Sequence, residues 1–334
     1  MLQIPDIVTS VKIPQLIKDE VIRQGTPICD ERNRPYHKSG GFAVVFPFDV
    51  DGRKWAFRCW SAKLEGIEDR LNKISQAIHS LNLPYFCDFT YKSQGLVVNG
   101  EPVPTTRMQW IDGLNIKEYI CKYYRDAQRL EKLAKDFLDM CNKLHECHIA
   151  HGDLQHGNIL VDSEGKLYLI DYDSMFVPAL EGESDIISGL VDYQHPSRCS
   201  NKIISSKIDY FSELIIYLSI LAIKERPSLI ETYQVEDSDR LLFCKDDFTN
   251  LKQSEIYTDL MSLSKEIKEL LDVLSDYLHK KNIDELGPFS FYQKLKKYGL
   301  SYGMQLYCIN CGTRYSCIED NLFCINCGKE LAYG

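Results

Sequence analysis

The chain has 334 residues, 39 Lys plus Arg against 48 Asp plus Glu, and a net charge of −9; this length suits about two domains. A content of 44% hydrophobic and 26% charged residues excludes a disordered or fibrous chain, and the acidic balance argues against a general nucleic-acid binder, which needs clustered Lys and Arg. The longest apolar run, Leu214 to Ile223, is too short for a bilayer, which takes about 20 residues, and the start "MLQIPDIVTS" lacks the basic segment of a signal peptide, so a cytoplasmic protein without membrane or nucleic-acid partners is expected.

The predicted elements begin with strands. "FAVVFPF" and "KWAFRCW" flank Asp51-Gly52, a hairpin-turn dipeptide, so residues 36–60 read as strands. Residues 66–81 place Ile67, Leu71, Ile74 and Ile78 on one helical face. Residues 85–99 and 104–111 read as further strands around the turn "NGEP". From about Asn115 the pattern is helical, with Leu130, Leu133, Phe137, Cys141 and Leu144 in phase. Two short strands, "NILVD" and "KLYLID", follow around "SEGK". Past about residue 207 two long helices are predicted, over "DYFSELIIYLSILAI" and "DLMSLSKEIKELLDVLSDYLHKK". A strand-rich front followed by a helix-rich body gives the α+β class. The last 30 residues are turn-rich and cysteine-rich.

The most informative stretch is "HGDLQHGNILVDSEGKLYLIDYD", His151 to Asp173. Asp153 opens a loop after a long helix, Asn158 leads into one strand and Asp171 ends the next. The hairpin brings Asn158 and Asp171 to one end, and such oxygen ligands suit Mg2+, which takes few protein ligands and several phosphate oxygens. Asp153 is then free to orient or deprotonate a hydroxyl.

These residues resemble the protein kinase-like superfamily. His151-Gly152-Asp153 with Asn158 is similar to the catalytic loop H-R-D-x-x-x-x-N, and Asp171-Tyr172-Asp173 to D-F-G, with Asp173 in the glycine slot. The resemblance implies a two-lobed fold, a β-rich N-lobe and a helical C-lobe, that uses ATP and Mg2+. Asp153 would be the catalytic base, and Asn158 and Asp171 the metal ligands. "KSGGFAVVF" resembles the glycine-rich loop over the ATP phosphates, through Gly40, Phe42 and Val45, with Gly41 able to approach phosphate and Lys38 and Ala43 standing where glycines are expected. "WAFRC" resembles V-A-I-K: Ala56 leaves room above the base, and Arg58 takes the lysine position. Arg58 is in phase with Ala56 and would contact the α/β phosphates, with Glu68 or Asp69 as its carboxylate partner in preference to Glu65. "RMQWIDG" resembles the hinge, with Met108 as gatekeeper and the backbone of Gln109 to Ile111 facing adenine. "YQHPS" resembles the A-P-E segment, with Ser197 in place of the glutamate. Asp209 would accept hydrogen bonds from the catalytic-loop backbone.

The departures set the alternatives. Gly152 replaces the Arg that would clamp an activation-loop phosphate, and Gln155 replaces a Lys that contacts the transferring phosphate. "HGDLQHGNIL" is close to the style of small-molecule phosphotransferases, whereas the length of 174–206 and its Pro motif are those of a protein kinase. The resulting reading is a divergent bacterial-type Ser/Thr protein kinase. The alternatives are a pseudokinase scaffold or nucleotide-controlled binding module, and a small-molecule phosphotransferase. His145 and His148 read as helix-end residues stabilised by the dipole rather than as metal ligands.

Of thirteen cysteines, nine are scattered and read as reduced thiols. The other four form Cys308-x2-Cys311 and Cys324-x2-Cys327, 12 residues apart and each pair followed by Gly. Two such knuckles make a tetrahedral four-sulfur site for Zn2+ that is closed and structural, and the module resembles a zinc ribbon. Cys317 reads as a spectator. Arg314 and Lys329 stand against Glu319, Asp320 and Glu330 there, so a protein surface is a better partner than nucleic acid. The expected organisation is an N-terminal extension over 1–20, a kinase-like domain over 21–300 with its N-lobe to about 110 and its C-lobe over 111–300, and the ribbon over 304–334. A protein substrate or protein partner is expected, and the oligomeric state is left open.

Overall fold

A computed structural model describes residues 2–39, 43–61, 66–185, 189–200, 203–297, 300, 302, 304–308, 310–316, 324, 326–327 and 329. The expected phosphate-loop residues Gly40, Gly41 and Phe42 lie outside the described residues, as do Glu65, Cys317, Glu319, Asp320 and Glu330. The chain forms two compact units, Met1–Ile116 with Gly157–Glu181, and Lys117–His156 with Gly182–Gly334.

The first unit is built on an antiparallel sheet. Its elements in chain order are α1 (Ile4–Ser10), β1 (Thr26–Pro27), β2 (Lys38–Ser39), β3 (Ala43–Val50), β4 (Arg53–Trp60), α2 (Ile67–Leu81), β5 (Phe89–Val98) and β6 (Glu101–Gln109). The sheet order is β1-β3-β4-β6-β5, with β2 also on β3. Asp51 and Gly52, with φ of 52° and 77°, make the tight turn between β3 and β4. Asn99 and Gly100, with φ of 52° and 86°, do the same between β5 and β6. Because that turn needs only two residues, β6 starts at Glu101, three residues before the expected strand start at 104.

Period-two alternation gives the sheet two different faces. One face carries Val44, Phe46, Phe48, Trp55, Phe57 and Cys59, and the N-terminal Ile7, Val11, Ile17 and Ile22 complete that core. Each fully buried side chain of this kind contributes about 1.5–3 kcal/mol, so the first residues are part of the unit's stability. Asp19 pins this segment through an ion pair to Arg107 at 3.1 Å. The other face carries Val45, Ala56, Arg58 and Met108, all half-buried, and α2, whose Ser75 hydroxyl donates to the Phe89 carbonyl at 3.2 Å. A small sheet of β7 (Gly113–Asn115), β8 (Ile159–Asp162) and β9 (Leu167–Leu169) completes the unit.

The second unit is helical: α3 (Ile116–Tyr123, of which all but the first residue lies in this unit), α4 (Ala127–Glu146), α5 (Tyr210–Glu225), α6 (Leu229–Thr232), α7 (Glu255–Leu260), α8 (Lys265–Leu278) and α9 (Phe289–Lys297). α5 is apolar around its circumference and buried from Tyr210 to Ile223, as a central helix must be. α4 presents Leu130, Leu133, Phe137, Cys141 and Leu144 as its buried stripe. The long helix expected over 259–281 is two helices, because Ser264 caps α8 by accepting the Ile267 N–H. His145 is more than a helix-end residue: its Nε2 lies 2.8 and 2.9 Å from the carboxylate oxygens of Glu213, which is buried. Two short antiparallel strands, β10 (Gln305–Tyr307) and β11 (Arg314–Ser316), follow. No helix among the described residues is long and apolar enough to cross a membrane.

Candidate active site

In the first unit the β8–β9 hairpin brings together two of the expected ligands. Ile159 pairs with Leu169, and the Ile170 N–H donates to the Asn158 carbonyl at 3.0 Å. Asn158 and Asp171 therefore share the open end of the hairpin. Asp171 adopts a left-handed backbone, φ 64°, a conformation that Asp tolerates, and its side chain is 51% exposed. Asn158 is buried. An amide oxygen and an exposed carboxylate on one rigid hairpin suit a hard cation with few protein ligands.

Tyr172 anchors this end. Its hydroxyl donates to the Leu169 carbonyl at 2.6 Å and accepts the Cys87 N–H at 2.9 Å. Its ring stands edge-on to Phe86 and Phe89. With Tyr172 turned inward, the acids on either side of it meet Arg58. The Arg58 Nη1 lies 3.1 Å from Asp171 Oδ1 and 2.7 Å from Asp173 Oδ2. The guanidinium also sits 4.5 Å above the Trp60 ring. Neither helix acid is its partner: Asp69 pairs with Lys73 at 2.7 Å, and Glu68 is exposed on α2. Burial raises the Asp173 carboxyl to about 6 against the pull of the Arg58 charge.

Arg70, buried on α2, was not anticipated. Its Nε and Nη2 donate to the carbonyls of Asp173 and Met175, both at 2.9 Å. The readable signal was a cation within the apolar stripe Ile67, Leu71, Ile74.

The expected base-binding edge lies on the same unit. Val45 is opposite Arg58, and Ala56 is opposite Met108. These cross-strand pairs put Val45, Ala56, Arg58 and Met108 on one face of the sheet. The N–H groups of Gln109 and Trp110 donate to the carbonyls of Asp88 and Lys54, at 2.9 and 3.0 Å. Those two donors are therefore already in use, whereas Ile111 follows the strand and is half-buried.

Asp153 lies on the second unit, in a loop held from below. Asp209 accepts the His151 N–H and, at 2.9 Å, the Gly152 N–H. Burial pushes the Asp209 carboxyl up to about 6. Asp153 Oδ1 accepts the Leu190 N–H at 2.9 Å. Arg198, also unanticipated, joins this loop: Nη1 donates to the Gly152 carbonyl at 2.5 Å and to the Gln194 side chain. Its Nε and Nη2 lie 3.1 and 2.9 Å from Asp185 Oδ2. Gly152 stands where the resembled pattern has an Arg, and Arg198 brings a cation to this loop from further along the chain. Ser197, in the glutamate position, hydrogen-bonds His195 Nδ1 through its hydroxyl at 2.7 Å.

The four expected zinc ligands are brought together. Cys308 and Cys327 sulfurs lie 3.6 Å apart and Cys311 and Cys324 sulfurs 3.5 Å apart, and the ligand atoms of all four lie within 4.8 Å of one another. Four sulfurs about 2.3 Å from a tetrahedral zinc stand about 3.8 Å apart, so the cluster fits that ion. The Thr313 hydroxyl and backbone pull the Cys311 thiol down to about 6.

The protein kinase domain family model matches residues 73–284. The probable serine/threonine-protein kinase mkcB of Dictyostelium discoideum is 27% identical over 125 residues, 37% of this chain and 17% of that protein. The KEOPS complex subunit Bud32 of Pyrococcus abyssi is 33% identical over 92 residues, 28% of this chain and 36% of that protein. The probable serine/threonine-protein kinase FPV226 of Fowlpox virus is 36% identical over 58 residues, 17% of this chain and 20% of that protein. The chain thus spans between about a sixth and about a third of the length of the relatives it matches.

Proposed function

The chain belongs to the protein kinase domain family, and on that premise we propose that it transfers a phosphoryl group from ATP, with Mg2+, to a Ser or Thr hydroxyl of a protein. The observation that carries this reading is the hairpin end where Asn158 and Asp171 stand together beside Arg58. Bound Mg2+ would supply charge neutralisation for the phosphates. Asn158 and Asp171 would hold it, and the spare donors of Arg58 would bind phosphate in a fork. The Ile111 N–H and the Gln109 carbonyl are the backbone groups we assign to adenine, with Val45, Ala56 and Met108 against its faces and Gly40 and Gly41 over the phosphates. Asp153 would accept the hydroxyl proton. The four-cysteine module would hold Zn2+ as a structural ion, in a domain over 304–334 next to the kinase domain over 21–300. Similarity to a protein named as a complex subunit supports a protein partner as well as a protein substrate.

Labelled ATP with Mg2+ and a protein extract tests the proposal. Transfer by the wild type, lost in Asp153→Asn and in Asp171→Asn, is the expected result. A wild type that labels no protein and turns over no ATP ends the enzyme reading.

One observation favours a second reading. Arg58 is already held by two carboxylates, which a nucleotide-controlled scaffold would retain. Such a protein would show a nucleotide-dependent thermal shift without turnover.

A further inference from the structure

The family pattern would give Arg58 a carboxylate partner on α2, yet the buried charged residue of that helix is Arg70, a cation. The charges are exchanged. α2 sends its cation to the Asp173 and Met175 carbonyls, and the acid that meets the strand cation comes from Asp173 itself.

The two acids on Arg58 are not equivalent. Asp173 is 8% exposed and lies 2.7 Å away, whereas Asp171 is 51% exposed and lies 3.1 Å away. Asp173 is also fixed on both sides, by buried Tyr172 and by Arg70 on its own carbonyl. Asp173 is thus the more enclosed of the two partners, and Asp171 the one more open to a cation.

The same geometry accounts for arginine at a lysine position. Both carboxylates use Nη1 alone. A lysine has a single nitrogen and would be surrounded by two acids. An arginine keeps Nη2 and Nε, whose donors lie in the same rigid plane, and Trp60 beneath limits the tilt of that plane.

We propose that Asp173 is the positioning residue for Arg58, filling the role expected of a helix acid and leaving Asp171 to the metal. This rests on the kinase reading above, and it makes Arg58 and Asp173 a matched pair.

The test is a cycle of Asp173→Asn and Arg58→Gln, singly and together, with two readouts. One is the affinity for a non-hydrolysable ATP analogue with Mg2+, and the other is the melting temperature of the nucleotide-free protein. Arg58→Lys, which keeps the charge, is the second background if Arg58→Gln does not fold. Asp173→Asn is expected to weaken analogue binding about tenfold, near 1.4 kcal/mol, and to add little once Arg58 is replaced. The melting temperatures should show the same non-additivity.

Equal losses from Asp173→Asn in both backgrounds would overturn the proposal, as would coupling of Arg58 to Glu68→Gln instead. A wild type that binds no analogue removes the kinase reading and this inference together. A wild type that binds it while the two substitutions act independently removes this inference alone.

Discussion

The backbone N–H of Leu190 donates to the Oδ1 of Asp153 at 2.9 Å. Only one carboxylate oxygen is used in this bond, and the residue before Leu190 is what allows the backbone to come so close. A Cβ on Gly189 would stand 2.5 Å from Asp153 Oδ1 and 2.6 Å from Gln194 Nε2.

Gly189→Ala should therefore push the Asp153 carboxylate out of place. Turnover is expected to fall about tenfold or more, which corresponds to about 1.4 kcal/mol in the barrier, with little change in melting temperature. Paired measurements of kcat and Tm check this. Unchanged kcat would show that the contact has no part in placing Asp153.

Arg198 and Asp185 form a buried ion pair, their side chains 4% and 9% exposed. Removing one member strands the other, at a cost of about 3–5 kcal/mol. Arg198→Met should lower the melting temperature by several degrees, and adding Asp185→Leu should recover the part due to the stranded carboxylate but not the part due to the donors lost to Gly152 and Gln194. Because Asp185 already supplies the acid for this cation, phosphatase treatment should leave phosphoryl transfer intact. Loss of transfer after that treatment would contradict the expectation.

The His145–Glu213 pair predicts a pH dependence. Burial opposes the imidazolium charge, but the Glu213 carboxylate prevails and the His145 pKa lies above 6.5. A folded-state pKa above the unfolded one gives stability that is fully present below pH 6.5 and is lost as pH rises through the folded value. The melting temperature should fall over that range, and His145→Gln should flatten the slope. Asp209, raised to about 6 by burial, acts at lower pH. An equal slope in the variant would assign the effect to another group.

Metal removal should act on the C-terminal module alone. Purified protein should hold one zinc per chain, and Cys311→Ser should abolish it while the helices of the second unit keep their circular dichroism. Elemental analysis without stoichiometric zinc would refute the site. The reason for the separation is size: a module of about 30 residues is too small to fold on a core of its own and depends on its ion for folding.

Local chemistry made much of this protein legible from sequence. Asp51-Gly52 specified a tight hairpin because both residues accept positive φ. The apolar period of residues 67–78 specified α2, and a hairpin around "SEGK" necessarily returns Asp171 to the side of Asn158. Two Cys-x2-Cys knuckles specified a sulfur cluster for the same reason: a short turn leaves few places for the thiols to point. The break at Ser264 was local too, but a strong apolar period concealed the cap.

Only tertiary structure decided the ion pairs. Arg58 was open to several acids, and chain distance does not rank Glu68, Asp69, Asp171 and Asp173. The burial of Tyr172 ranked them, because turning that ring inward carries its two neighbours onto Arg58. The partners of Arg70 and Arg198 were likewise silent in sequence, since they include backbone carbonyls and an acid 13 residues away. A carbonyl is present at every residue and leaves no mark in composition. What selects one carbonyl for a buried guanidinium is the packing that excludes water from it.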